Sequence, residues 1–378
     1  MTRTKPKLLF FTSFPPPNTG QTIASNLIFK TLQNQGSFDL YKINTSDPNK
    51  LKRKGSSLSY VKHLCISYLR LIKTLNSKKI QTVYVVFSST KSGLLRDVLS
   101  VIFIKYLNFK RIRLMAHLHS GNYGHNFKRL PFKYLFRFLL RNTDKLIFLS
   151  RSLNHIANFF PEDKSAYLTN MIDEDIICTE DEINRKFLNK SQTKDSFQII
   201  YLSNMIPEKG FLDLNTAMGH LRTKNARINF HVKYIGGWAG EDKRNAFEKI
   251  CINSENIKSE VVGPIYDRKI LKQIFLDADI FVLPTYYPIE AQPLSIIEAL
   301  NSGTPVISTW HAAIPEMIEN GTNGLLIKPK STHELAKAIL ELADRKKWFQ
   351  YSESARDRYI NTFSKSVLQN SALEIFNA

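Results

Sequence analysis

With 378 residues and 43% hydrophobic side chains, the chain is too long for one ordinary core and suits two domains of about 150–200 residues each. Its formal charge of +20 is uneven, because residues 1–155 carry 27 Lys and Arg against 4 Asp and Glu while the remainder is slightly acidic. Cys65, Cys178 and Cys251 lack the paired spacing of a disulfide framework or a zinc site and fit a reducing cytoplasm, and no apolar run nears the roughly 20 residues of a membrane span.

Leu8–Phe11 is shorter than the roughly 7–15-residue core of a signal peptide and meets Pro15-Pro16-Pro17 at once, so it reads as a first strand. Strand candidates in the first half are Lys7–Phe11, Phe38–Ile43, Thr82–Phe87, Ile112–Leu118 and Lys145–Leu149. Between them, Leu58 to Leu75 places apolar residues at 58, 61, 64, 65, 68, 69, 72 and 75, a helical period, with Lys62, Arg70 and Lys73 off that stripe and the basic run Lys50–Lys54 ahead of it. Arg129, Lys133, Arg137 and Arg141 recur every four residues beside Phe132, Leu135, Phe136, Leu139 and Leu140. Such stripes belong either to the domain core or to an anionic membrane surface. The surplus of 23 cations implies an anionic partner: nucleic acid, acidic lipid or a phosphorylated acceptor.

Asp173 to Asp195 is rich in acids, Asn and Lys without apolar periodicity, and reads as the interdomain stretch. The second half repeats the pattern, with strand candidates Phe197–Leu202, Ile228–Ile235, Val261–Gly263, Ile280–Leu283, Pro305–Ser308 and Leu325–Ile327. The intervals are long enough for crossover helices, so both halves are predicted to be doubly wound α/β domains with parallel sheets, facing each other across a cleft. Ligands of such sheets bind beyond the carboxyl ends of the strands, and motifs following strands are where chemistry is sought.

The most informative segment is Pro284 to Pro329. After the strand Ile280–Leu283, a loop from Thr285 to Gln292 leads to Pro293, predicted as the first residue of a helix that stops at Ser302-Gly303. Glu290 falls on the loop and Glu298 more than one turn inside the helix, both near the crevice. A helix N-terminus attracts a diphosphate, whereas two carboxylates repel one, so their natural partners are hydroxyls such as those of a ribose and a hexose.

Glu290, seven residues, Glu298, then the Glu-Ala-Leu, Gly-Thr-Pro-Val-Ile and Asn-Gly-Leu-Leu elements resemble the donor-site signature of retaining glycosyltransferases with the GT-B fold, especially glycosyltransferase family 4. The resemblance implies that Glu290 binds donor-sugar hydroxyls near the reacting carbon, that Glu298 binds ribose hydroxyls, and that amides around Gln292, Leu294 and Ser295 touch sugar and phosphate. YLSNMIPEKG, residues 201–210, resembles the family's Gly-Arg-Leu…Glu-Lys-Gly element and assigns Lys209 to the diphosphate. It departs from that element where Ser203 and Asn204 replace Gly and Arg. Loss of the guanidinium leaves either Lys209 or another cation to carry the load. Gly263-Pro264-Ile265 resembles the base-contacting turn, with Ile265 as the small apolar residue. Gly20 resembles the glycine of the first loop, within Phe14 to Thr22. In HLHSG, residues 117–121, His119 sits where the family places a histidine facing the donor sugar, although His117 shares its parity along the strand.

What the resemblance implies overall is transfer of a sugar from a nucleoside diphosphate to a hydroxyl of a glycan or lipid-linked acceptor, with retention, no cofactor and no metal, in envelope or capsule polysaccharide assembly. The domains expected on this basis are residues 1–175 for the acceptor, 176–355 for the nucleotide sugar, and 356–378 as a helix crossing back to the first. The protein would be cytoplasmic, with an anionic membrane surface as a partner of its basic half. Competing readings are a basic nucleic-acid-binding protein, a dinucleotide oxidoreductase, against which neither half has GxGxxG after its first strand, and an epimerase or phosphorylase of the same fold.

Overall fold

The computed structural model describes the chain apart from residues 1–4, 17–19, 47–56, 107–110, 122, 124–126, 128, 159, 193–195, 223–227 and 378. The basic run Lys50–Lys54 and part of the loop Phe14–Thr22 lie outside the described residues. Two compact units emerge, Met1–Met171 with Lys365–Ala378, and Ile172–Ser364. The transitions fall at 171/172 and 364/365, against 175/176 and 355/356 in the sequence reading. Ile172 and Ile176 pack into the second unit's core, as do Tyr359 and Phe363.

In the first unit β1 (Lys7–Thr12), β2 (Asp39–Asn44), β3 (Thr82–Phe87), β4 (Arg113–Leu118), β5 (Lys145–Phe148) and β6 (Ser165–Tyr167) form one sheet in the order β2-β1-β3-β4-β5-β6. Its pairings are parallel. β1 and β3 are buried nearly throughout, as strands covered on both faces must be. Sequence reasoning overlooked β6, whose three residues Ser-Ala-Tyr are too few to show a period. Helices α1 (Gly20–Gln35), α2 (Ser57–Lys78), α3 (Lys91–Lys105) and α4 (Phe132–Arg141) fill connections between these strands. The last helix of the chain, Lys365–Asn377, belongs to this unit as well: Leu368, Ala372, Ile375 and Phe376 join Phe10, Ile28 and Tyr84 in its core.

The second unit orders its strands β12-β11-β10-β7-β8-β9, where β7 is Ser196–Leu202, β8 Asn229–Ile235, β9 Ile257–Gly263, β10 Ile280–Leu283, β11 Val306–Thr309 and β12 Gly324–Ile327. All these neighbours run parallel. β9 begins four residues before its predicted start because it is an edge strand, in which Lys258, Ser259 and Glu260 are tolerated. The helices are α5 (Glu180–Gln192), α6 (Phe211–His220), α7 (Glu241–Ile250), α8 (Arg268–Asp277), α9 (Leu294–Asn301), α10 (Ile314–Met317), α11 (Thr332–Ala343) and α12 (Arg345–Arg358). Chain order reverses between β7 and β10, which lie side by side, so the loops after these two strands open the crevice at the sheet's switch point.

The predicted interdomain stretch is corrected by the structure. Most of Asp173–Asp195 is the helix α5, integral to the second unit and held by buried lysines as well as by Ile183 and Phe187. Lys186 is buried and donates to Phe275 O (3.1 Å), Ser302 O (3.0 Å) and Thr304 Oγ1 (2.6 Å), while Lys190 reaches Asp277 O (2.6 Å) and Asp279 Oδ2 (2.9 Å). Burial pushes the Lys186 pKa down to about 7, yet three acceptors match the three N–H bonds of the ammonium form. Hydropathy patterning scores such lysines as solvated and so misses the helix. Lys186→Ala leaves buried acceptors unpaired and is expected to cost about 2–3 kcal/mol, read as a lower urea midpoint with unchanged secondary structure.

Candidate functional site

The site is built on the loops flanking the switch point of the second sheet. After β7, residues 203–205 are tied to the turn after β8, with Ser203 N–H on Ile235 O (3.1 Å) and Met205 N–H on Gly237 O (2.9 Å). Gly236 holds φ +153°, and a Cβ there would collide with the Ser203 carbonyl oxygen. A single 3-10 turn, Pro207–Lys209, then ends at Gly210 with φ +85°. A side chain at 210 would strike the carbonyl oxygen of Pro284, the residue that follows β10. Glycine therefore lets the Lys209 turn press against the loop that carries Glu290, and Tyr286 N–H to Glu208 O (2.8 Å) stitches the two together.

That contact brings Lys209 Nζ to 2.6 Å from Glu290 Oε2. Glu290 is buried, and its Oε2 also accepts from Thr285 Oγ1 at 3.2 Å. The lysine stands 4.9 Å from the centre of the Tyr287 ring. The loop is fixed from behind by His311 Nε2 against Tyr287 O (2.8 Å), by Ala313 N–H on Ala291 O (3.1 Å) and by Thr309 Oγ1 on Thr285 O. A carboxylate with two donors on one oxygen keeps its other oxygen for a ligand.

α9 starts one residue later than predicted. Pro293 is the extended residue before it, at φ −62° and ψ 122°, because proline fixes φ and leaves ψ free. Leu294 and Ser295, both half-buried, head the helix, where amides lack an acceptor within the helix; Gln292 is buried just ahead of them. At the far end Lys186 holds Ser302 O, and Arg356 Nη1 holds Asn301 O at 2.5 Å. Cations there complement the negative pole of the helix dipole and pin its C-terminus, so the positive pole stays aimed at the crevice.

Glu298 lies in the second turn of α9, buried, with Arg268 Nη1 at 3.3 Å from Oε1. Arg268 opens α8, whose cap Asp267 accepts from Lys269 N (2.8 Å) and Ile270 N (3.3 Å). Burial pushes the Glu298 pKa up to about 7, Arg268 opposes that rise and Asp173 adds to it. Sequence reasoning missed Arg268, Thr285 and Tyr287. Each stands within five residues after a strand, and that position is the signal that could have found them.

Of the other predicted residues, Ser203 is half-buried and Asn204 exposed, at the carboxyl end of β7. Ile265 is half-buried, two residues beyond β9, after Gly263 at φ +82°. In the first unit Gly20 is the exposed first residue of α1. His119 follows β4. Its ring lies 4.0 Å from that of His117, and burial lowers its pKa to about 4, which keeps the imidazole neutral. His117 is buried and tied through Nδ1 to Tyr84 Oη at 2.8 Å, whereas His119 is half-buried beyond the end of the strand. The structure thus separates two histidines that strand parity left equivalent. Among the described residues, no three His, Cys, Asp or Glu side chains gather as a metal site.

Two parallel six-stranded sheets wrapped by helices give the chain the GT-B fold of solved glycosyltransferase structures. Residues 182–361 match the family described as Glycosyl transferases group 1. An uncharacterized 41.2 kDa protein in the cps region of Klebsiella pneumoniae is similar to this chain, 25% identical over 342 residues, or 86% of each. The putative colanic acid biosynthesis glycosyltransferase WcaL of Salmonella typhimurium is 27% identical over 150 residues, covering 39% of this chain and 36% of that protein. Among solved structures, Anabaena Alr3699/HepE in complex with UDP superposes with a TM-score of 0.69 at 15% identity, covering 98% of this chain and 99% of that one. The same Anabaena protein has been solved with UDP-glucose.

Proposed function

We propose that the chain transfers a sugar from a nucleoside diphosphate to a hydroxyl of a glycan or lipid-linked acceptor, with retention and without a metal, in bacterial surface polysaccharide synthesis. The observation that carries this reading is the 2.6 Å pair of Lys209 and Glu290 across the switch point, beside the N-terminus of α9. The similarity to a colanic acid biosynthesis glycosyltransferase and to a UDP-binding protein of the same fold supports it.

In this reading the diphosphate rests on the head of α9 at Gln292, Leu294 and Ser295 and takes charge compensation from Lys209. Asn204 and Ser203 add neutral hydrogen bonds, and Ile265 meets the base. Glu290, oriented by Lys209 and Thr285, holds sugar hydroxyls, and Glu298 holds the ribose. The bond between the anomeric carbon and phosphate oxygen breaks while the acceptor oxygen bonds to the same face. The acceptor proton passes to the leaving phosphate, so no separate general base is needed.

A panel of UDP-, GDP- and ADP-sugars tests the donor assignment by thermal stabilisation and hydrolysis. One donor class is expected to raise Tm and to be turned over with EDTA present, and the released sugar's first-formed anomer, read by NMR, should keep the donor's configuration. Silence across the panel, loss of activity in EDTA or an inverted anomer each overturns the corresponding part.

A further inference from the structure

The apolar stripe of α2 does not all face the core. Tyr68, Leu71 and Leu75 are buried, Tyr68 stacking on Phe103 of α3 with ring centres 4.9 Å apart. Val61, Leu69 and Ile72, by contrast, are 49%, 67% and 36% exposed. At 100° per residue these three fall within one quadrant of the helix, next to the buried arc, and Lys62 and Lys73 border them on the other side. α2 therefore has two apolar faces, and among the described residues only one of them has a partner.

The neighbouring helices continue the pattern. α3 packs between α2 and α4, its Phe103 on Tyr68 and its Tyr106 stacked on Phe138 of α4. Leu95 and Leu99 point outward from α3 at 51% and 47% exposure, as does Tyr134 from α4 at 63%. Lys133 and Arg141 of α4 and Arg70 of α2 are exposed too. Acidic residues are nearly missing: across these three helices the single carboxylate is Asp97, which is buried and paired with Arg96 at 2.6 Å.

We propose that this layer of α2, α3 and α4 is a docking surface for an anionic lipid bilayer. Apolar side chains bordered by lysine and arginine, with no outward carboxylate, match a surface whose headgroups are negative and whose interior is hydrocarbon. The surplus of 23 cations in residues 1–155 extends the attraction over the whole unit. A duplex nucleic acid would match the charge but would leave the outward leucines against water. Docking would bring a lipid-linked acceptor to the enzyme in two dimensions.

The test is co-sedimentation of the full chain with vesicles of pure phosphatidylcholine and of phosphatidylcholine mixed with phosphatidylglycerol, at low and high salt. Binding is expected only with phosphatidylglycerol, weakening with salt. L69E/I72E and K62Q/K73Q should each reduce it by about tenfold or more, with circular dichroism and donor hydrolysis unchanged. Because vesicle binding is read without donor, its failure is distinct from failure of the proposed reaction. Absence of binding to anionic vesicles at low salt overturns the proposal, as does equal binding by both variants, or a salt-sensitive gel shift with duplex DNA that these substitutions abolish while vesicles stay unbound.

Discussion

Glu290→Ala is expected to fold normally and to turn over about 100- to 1,000-fold more slowly, the loss typical of one preorganised polar group at a reacting centre. Folding should survive because removing the carboxylate frees Lys209, a flexible cation that can turn to water. Lys209→Ala should fall as far, for a complementary reason: in the proposed reaction it withdraws charge from the leaving diphosphate, and it also releases Glu290, now held at 2.6 Å. The two effects overlap, so the double variant should lose little more than either single one, a coupling visible in kcat across the four enzymes. Full activity in either single variant would remove these residues from the reaction.

Glu298→Ala should weaken donor binding by about 10- to 100-fold, the equivalent of one or two hydrogen bonds to a charged group. The effect carries a pH signature. With its pKa raised from 4.5 to about 7 by burial, Glu298 in the folded protein holds a proton that the unfolded chain has already released between those values. Stability from this group is full below about pH 4.5 and is lost as pH climbs through about 7, a change of about 3 kcal/mol. Relative to Glu298→Gln, which does not titrate, the native protein should therefore melt progressively lower from pH 5 to pH 8. Donor affinity should move the other way if Glu298 holds the ribose as proposed, since hydroxyls donate to the ionised form: it should fall as pH drops below about 7 in the native protein and stay flat in the glutamine variant. Arg268→Gln removes the cation that opposes the rise, and should shift the affinity profile to higher pH. Isothermal titration across this range, with melting curves alongside, measures both. Parallel profiles for the native and glutamine proteins would show that Glu298 neither titrates nor touches the donor.

Much of this arrangement was legible from the residues. Short β-branched strands separated by helix-length intervals specify parallel sheets, and the loop after Ile280–Leu283 announced itself through its glutamates, proline and glycine stop. Hydropathy failed where burial is polar. α5 docks through Lys186 and Lys190, which read as solvent-facing, and β9 runs through Lys258 and Glu260 at an edge. It failed again on α2, where one apolar period conceals two faces that only tertiary contacts divide. The pairings of Lys209 with Glu290 and of Arg268 with Glu298 join residues 81 and 30 positions apart, and no local pattern encodes such meetings. They follow from the strand order, which sets the loops after β7 and β10 next to each other.

The return of Lys365–Asn377 to the first unit has a consequence for biogenesis. Phe376 stacks on Phe10 with ring centres 6.1 Å apart and lies 5.7 Å from Tyr84, so one wall of the first unit's core is supplied by a helix that follows the whole second unit in sequence. During synthesis, residues 1–171 must wait on the ribosome with that wall open while the second unit is completed, exposing aromatic surface to chaperones and proteases for the whole interval. A released chain that stopped after residue 364 would thus hold all of the second unit attached to a first unit lacking one wall.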